Sequence, residues 1–427
     1  MTTTNPIAII GGGASGLMCA AMLLRSGQKV RIFERNDKVA RKLGITGKGR
    51  CNLTNNCTLP VLMENIPTNS RFLYSALSAF TPADTMAFFE TMGVPLKTER
   101  GNRVFPVSDR ASDIVNALRR ATTDAEIVHA RVTEILTSEQ ADGARHLSGV
   151  LCEDGRRYAA EQVVVATGGL SYPQTGSDGD GYRFADMLSI ARVQPTPSLC
   201  PLETEEKWCR ALMGLSLKNV SLRFIERASG KTVYEDFGEM LFTHFGVSGP
   251  MILSASAHLD GMREGKYGAV LNLKPALDEK QLNARLLRDF AASPNKNFSS
   301  ILSGLLPAKM VPVFGQLTGI DSEKKVHDIT RAERITVLRM LHSMPFTVRG
   351  FRPIAEAIVT KGGISVKELN PKTMACKRIP GLYFVGEVVD VDGYTGGFNL
   401  QIAFATGVAA ARAIAAQNKE IVEDDGQ

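Results

Sequence analysis

The segment Ile7–Glu34, IAIIGGGASGLMCAAMLLRSGQKVRIFE, leaves this chain few choices of fold. Ile7–Ile10 is a short apolar run, suited to a buried parallel strand. Gly11, Gly13 and Gly16 follow with the spacing G-x-G-x-x-G. The first glycine allows a tight turn. The second lets backbone approach a pyrophosphate, and the third lets the next helix pack close on the sheet. Leu17–Leu24 continues in small and apolar residues, which predicts that helix. Its first turn, with Ala14 and Ser15, offers backbone N–H groups to the same anion. Val30–Phe33 predicts a second strand, and Glu34 closes it, where a carboxylate can accept the hydroxyls of an adenosine ribose. Strand, glycines, helix, strand and acid in this register predict an α/β, doubly wound Rossmann-like domain that binds a dinucleotide.

A chain of 427 residues has room for one large or two to three smaller domains. No uninterrupted apolar run approaches the ~18 residues of a membrane helix, so no membrane is expected. The opening MTTTNP runs almost straight into the first strand without a signal-peptide pattern. Seven cysteines without a CxxC pair argue against a disulfide scaffold or zinc ribbon, so no metal is expected and the cytoplasm is the expected compartment. A net charge of +6 permits an anionic partner.

The second conspicuous block, residues 35–55, is rich in glycine and cations. Gly44, Gly47 and Gly49 predict a loop passing close to something flat or anionic. Arg35 and Lys42 are candidate cofactor contacts; Lys48, Arg50 and Asn52 are candidate substrate contacts. Cys51 stands beside Arg50, which would lower its pKa if the thiol is exposed, and so is a candidate for chemistry. QVVVATGG, 162–169, predicts another buried strand, with Thr167 and Gly168 at the carboxyl end that faces the ligand crevice and Tyr172 in the loop beyond. Val104 and Phe105 fit an edge strand ended by Pro106. His244, in the glycine-punctuated stretch LFTHFGVSGP, is a candidate pocket residue. Strand-like alternation from about residue 195 predicts an insert. Its expected parts are a β-rich piece, 195–275 with 332–345, and a small helical piece, 276–331. Residues 1–194 and 346–427 then form the dinucleotide-binding domain. Its last block, GLYFVGEVVDVDGYTGGFNLQIAFATG, predicts a strand, then Gly386 with Glu387 or Asp390 at its end. Gly397, Asn399 and Leu400 follow at the start of a helix.

GGGASG with Glu34, KLGITGKGRCNLTN, VVVATGG with SYPQTGSDGDG, LFTHFGVSGP and GYTGGFNLQ together resemble one group of proteins. These are the two-dinucleotide-binding-domain flavoproteins, specifically the bacterial aminoacetone oxidase-type group of NAD(P)/FAD-dependent oxidoreductases. Gly44 departs from the apolar residue expected at its position. The resemblance implies FAD, held by a domain that an inserted barrel-like domain and a small helical one interrupt. It assigns Gly11, Gly13 and Gly16 to the pyrophosphate, Glu34 to the ribose, and Gly386 with Glu387 or Asp390 to the ribityl-phosphate region. Asn399–Gln401 would lie near the isoalloxazine. With one strong fingerprint visible, NADH or NADPH would visit as a transient electron donor. The group includes bile-acid-type reductases, and a ribosomal RNA dihydrouridine synthase looks similar. The resemblance therefore implies, first, reduction of the C5–C6 double bond of a uridine in ribosomal RNA. Reduction of a small unsaturated carbonyl or oxidation of an amine comes second, and a non-catalytic flavin-binding RNA or assembly factor third. Such a reduction needs a proton donor, for which Cys51 is the first candidate and His244 the second.

Overall fold

Short apolar runs set the centre of the fold. The computed structural model describes residues 5–139 and 145–424. In it, β1 (Ile7–Ile10) is buried at every position, α1 (Ala14–Arg25) follows, and β2 (Val30–Phe33) runs beside β1. A short helix, α2 (Arg41–Ile45), leads through a left-handed turn to β3 (Thr54–Asn55). This strand pairs with a hairpin of β4 (Leu96–Glu99) and β5 (Arg103–Pro106). β5 lies between its two partners, so Val104 and Phe105 are central rather than at the edge. Pro106 is tolerated because it ends the strand.

β6 (Glu126–Val128) precedes a meander of β7 (Val132–Glu139), β8 (Arg145–Cys152) and β9 (Arg157–Ala159), and β10 (Val163–Val165) follows. β11 (Arg192–Ser198) ends the first half of the domain. A closed barrel then contains β12 (Leu202–Thr204), β13 (Ser216–Glu226), β14 (Lys231–Phe242), β15 (Gly246–Ser248), β16 (Tyr267–Asn272) and β17 (Met344–Phe351). The chain returns in β18 (Val359–Ile364), antiparallel to β11, and β19 (Leu382–Phe384).

The central sheet is parallel, in the order β19–β10–β1–β2–β6. Both ends of the chain contribute to it. Val163, Val164 and Val165 are fully buried in its middle, each stabilising the fold by ~1.5–3 kcal/mol. α1 meets the C-terminal helix Phe398–Asp424 at small residues: a Cβ on Gly407 would fall 2.5 Å from the Ser15 carbonyl oxygen. The span Phe398–Lys419 of that helix, mean hydropathy 1.3, is long and apolar enough to cross a membrane by length and composition. In this fold 78% of its apolar window is buried, as the core helix of the domain.

The chain divides into two compact units, one running to Ser198 and resuming at Ala357, the other Leu199–Glu356. β17 lies in the second unit, beyond residue 346 where the sequence suggested the return, because Met344, Phe346 and Val348 alternate into the barrel core. Residues 332–345, read as β-rich, are mostly the helix Arg331–His342. Thr330 and Glu333 close a capping box at its start. The helices Glu279–Ala292, Phe298–Ser303 and Met310–Thr318 fill the stretch between β16 and that helix.

Candidate functional site

The glycines of the fingerprint differ in what surrounds them. At Gly11, φ is +107° and a Cβ would fall 2.5 Å from the Ala166 carbonyl oxygen. At Gly16 a Cβ would overlap the Gly11 carbonyl oxygen. Both are closed by the fold itself. Gly13 is open: the nearest heavy atom to a Cβ there is the Ala166 oxygen, at 4.0 Å. Gly13 is also the N-cap of α1, and no side-chain capping bond takes the first-turn N–H groups, those of Ala14 and Ser15 among them.

Glu34 is buried at the end of β2. Its Oε2 accepts from the Gly12 N–H at 3.1 Å, and its Oε1 accepts from the Asn36 N–H and Nδ2 at 2.9 and 2.7 Å. Arg35 is not a free cation. It pairs with Asp178 at 2.6 Å and Asp180 at 3.4 Å, and Arg131 and Arg183 join the same two carboxylates. Burial would raise the Asp178 pKa, but the arginines outweigh it and hold the carboxyl below its ordinary value. This cluster, with Asn36 Nδ2 donating to the Thr175 carbonyl, pins the loop after β10 onto the end of β2.

That loop makes a second network. Lys42 Nζ donates to Ser171 Oγ and Glu387 Oε2, both at 2.6 Å. Glu387 Oε1 accepts from Ser171 Oγ at 2.7 Å and from the Thr360 N–H at 2.9 Å. Burial pushes the Glu387 pKa up, yet the Lys42 charge and these donors win, and it lies below the usual carboxylate value. Tyr172, next in the loop, is held at φ +52°, a left-handed backbone unusual for a bulky residue, with Lys42 Nζ 5.9 Å from its ring centroid. Gly168 turns the chain at φ +73°, and Thr167 Oγ1 beside it is buried without a partner.

At the carboxyl end of β19, Gly386 packs against the fingerprint: a Cβ there would fall 2.5 Å from Ser15 Oγ. Asp390 is buried and its pKa is raised, by burial and by Asp392, against the opposing hydrogen bond from Asn69 Nδ2. Gly397, at φ +101°, lies against the backbone of Thr54. Asn399 accepts from the Gly393 N–H at 2.9 Å and donates to the Gly393 carbonyl, so its amide shapes the glycine loop. Leu400 packs on the core. The structure thus brings the fingerprint, Lys42, the loop after β10 and the 386–400 segment together in one unit.

Cys51 and Arg50 differ from expectation. Cys51 is fully buried, and burial pushes its thiol up to about 12, against a hydrogen bond with Thr46. The exposed, activated thiol that its neighbours suggested is absent, because the turn at Gly47, Lys48 and Gly49, all at positive φ, folds the cysteine inward. Arg50 is engaged by Glu99 and Asp109, and its guanidinium lies 4.2 Å from the Phe105 ring centroid. Lys48 is exposed at φ +58°, and Asn52 Oδ1 is buried without a partner. His244 belongs to the other unit, exposed in the turn between β14 and β15 with its ring edge-on to Phe245.

The family profile described as HI0933-like protein Rossmann domain matches residues 5–413. The chain belongs to this family. The chain is similar to a ribosomal RNA dihydrouridine synthase of Haemophilus influenzae, 31% identical over 96% of this chain and 98% of that one. A second is the 3-dehydro-bile acid delta(4,6)-reductase of Clostridium scindens, 30% identical over 96% and 99%. The structure of 3-ketosteroid delta1-dehydrogenase from Sterolibacterium denitrificans shares the fold at TM-score 0.52 and 13% identity, covering 97% of this chain and all of that one. The family is one of FAD-dependent oxidoreductases.

The residues present fit that cofactor. Gly13 leaves open space at an uncapped helix end, Glu34 is buried at the end of β2, and Thr167 Oγ1, at the carboxyl end of β10, is buried without a partner. Sequence reasoning passed over Asn36, Ser171 and Thr360, which tie these pieces together. A serine or asparagine in a glycine-rich loop is a weak signal, and Thr360, inside a strand, carries none.

Proposed function

We propose that this HI0933-like protein is an FAD-dependent reductase acting in the cytoplasm. It uses NADH or NADPH to reduce the C5–C6 double bond of a uridine in ribosomal RNA. The observation that carries this reading is the end-to-end match to relatives named for that activity, in Haemophilus influenzae and, at 31% identity over 95% of this chain, in Escherichia coli. The net charge of +6 is consistent with a polyanionic substrate. In the overall reaction a hydride adds to one ring carbon and a proton to the other. The C=C π bond is lost, and the nicotinamide is oxidised. FAD, when bound, relays the hydride.

The chain supplies the rest. Gly13, Ala14, Ser15 and Gly16 hold the pyrophosphate with backbone N–H groups, Gly11, whose own N–H goes to the Phe33 carbonyl, makes the tight turn, and Glu34 takes the ribose. Gly386 and Asp390 serve the ribityl side, and Gly397, Asn399 and Leu400 place a helix start near the ring. The Lys42–Glu387 pair keeps the walls together. Tyr172, Lys48 and Asn52 meet the substrate, whose uridine must leave the RNA stack to be reached. Cys51 holds its proton at neutral pH but is sealed, and His244 is accessible. Separate Cys51→Ala and His244→Ala variants assign the proton. The donor variant keeps FAD and its reduction by NADH but loses transfer to substrate by ~10²-fold.

The Clostridium scindens relative favours a second reading, reduction of a small unsaturated carbonyl. Anaerobic reoxidation separates the two. Protein reduced by NADH should be reoxidised by ribosomal RNA and not by small enones; the reverse pattern selects the second reading.

A further inference from the structure

We infer that the β4–β5 hairpin and the left-handed turn beside Cys51 form the surface that grips the phosphate backbone of the RNA. This rests on the RNA reading above. Residues 41–50 and 94–113 carry eight cations against three carboxylates; with Lys42 taken by Glu387, a surplus of four remains in a chain whose net charge is +6. The two segments meet in space, because Arg50 of the turn is held by Glu99 of β4 and Asp109 just after β5 and lies over Phe105. Lys97 takes the same two carboxylates. Two of the three local carboxylates, Glu99 and Asp109, are therefore taken by Arg50 and Lys97, and the third, Asp113, accepts from Ser108 Oγ. Lys48, Arg100, Arg103 and Arg110 are exposed, and among the described residues none of them forms an ion pair.

The patch is fastened to the catalytic end of its domain. Asn55, buried in β3, donates through Nδ2 to the Gly101 carbonyl at the hairpin tip and to the Gly396 carbonyl at the start of the C-terminal helix, both at 3.0 Å. Arg103 Nε also donates to the Arg100 carbonyl at 3.0 Å, which shapes the tip. Lys48 and Asn102 sit at φ +58°, a left-handed conformation that the surrounding turns impose. A rigid, unpaired basic ridge tied to the cofactor loop suits a polyanion whose base must be placed at a fixed point. Exposed cations neutralising phosphates supply affinity without sequence preference.

The test compares the holoenzyme with Arg100→Glu/Arg103→Glu, using total ribosomal RNA as the probe. A control, Lys280→Glu/Arg288→Glu on the helix Glu279–Ala292, makes the same change in net charge at two exposed positions. FAD absorbance, thermal unfolding and reduction by NADH establish that each variant is intact. The hairpin variant should bind RNA at least ~10-fold more weakly at ~0.1 M salt. Its slope of log affinity against log salt should be shallower by about two. KM for RNA should rise while kcat at saturating RNA is kept, and the control should match the parent. Equal RNA affinity in hairpin variant and parent, or an equal loss in the control, overturns the inference. A parent that neither binds nor reduces RNA removes the RNA reading itself, and the inference with it.

Discussion

Cys51 shows how far a residue's sequence neighbours mislead. Cations beside a thiol lower its pKa only when it shares their solvent, and here the turn buries it and the pKa rises to about 12. In the folded protein a neutral-pH alkylating agent should label half-buried Cys57 well before Cys51. Peptide mass mapping checks this, and equal labelling would contradict the burial. Lys42 and Glu387 give a second prediction. The Glu387 pKa is depressed in the folded state, so the pair's contribution is full above the ordinary glutamate pKa of ~4.3 and is lost as pH falls through the lower folded value. Lys42→Met should cost about 2 kcal/mol at neutral pH, and the gap to the parent should close in acid. Denaturant titrations at several pH values measure it; a gap independent of pH would show that the charge is irrelevant. Glu34 was legible because spacing alone puts it at a strand end. The partners of Lys42 and Arg50 were not: Glu387 lies 345 residues from Lys42 and Glu99 lies 49 from Arg50.

Among the elements, the first strand–helix–strand unit is what the sequence states most clearly. Four-residue apolar runs and a fixed glycine spacing allow one arrangement. It yields a prediction that separates folding from binding. Gly13 has φ −84° and ψ −168°, which any residue adopts, and it caps α1, a position that favours aspartate. Gly13→Asp should therefore leave the unfolding temperature of the apoprotein within about 2 °C of the parent. It should weaken FAD by ~100-fold or more, through repulsion of the pyrophosphate. Gly16→Val should fail to fold, since even a Cβ there meets the Gly11 carbonyl. Loss of folding in Gly13→Asp, or retention of FAD, would break this assignment. The β5 position was misread because Pro106 looks like an edge signal, whereas its pairing on both sides depends on β3, which has only two residues.

At the level of the whole molecule, the split of the dinucleotide domain by an insert was visible where strand-like alternation began near residue 195. The closure of the barrel was not. β17 reaches β12 across about 140 residues, and alternation says which face is buried without saying which strand is the neighbour. The Thr330–Glu333 capping box is a helix-start signal that the β-rich reading of residues 332–345 left unused. The span Phe398–Lys419 of the core helix is apolar because the fold buries most of it, with α1 packed against it at Gly407. The proposed activity is the transfer of hydride, by way of FAD, to a uridine of ribosomal RNA. Ribosomal RNA incubated anaerobically with the NADH-reduced protein, digested to nucleosides and weighed by mass spectrometry tests it most directly. A uridine carrying two extra hydrogens should form with the parent and be absent with Gly13→Asp. Unchanged RNA nucleosides, with the reduced protein reoxidised by a small enone instead, would contradict it.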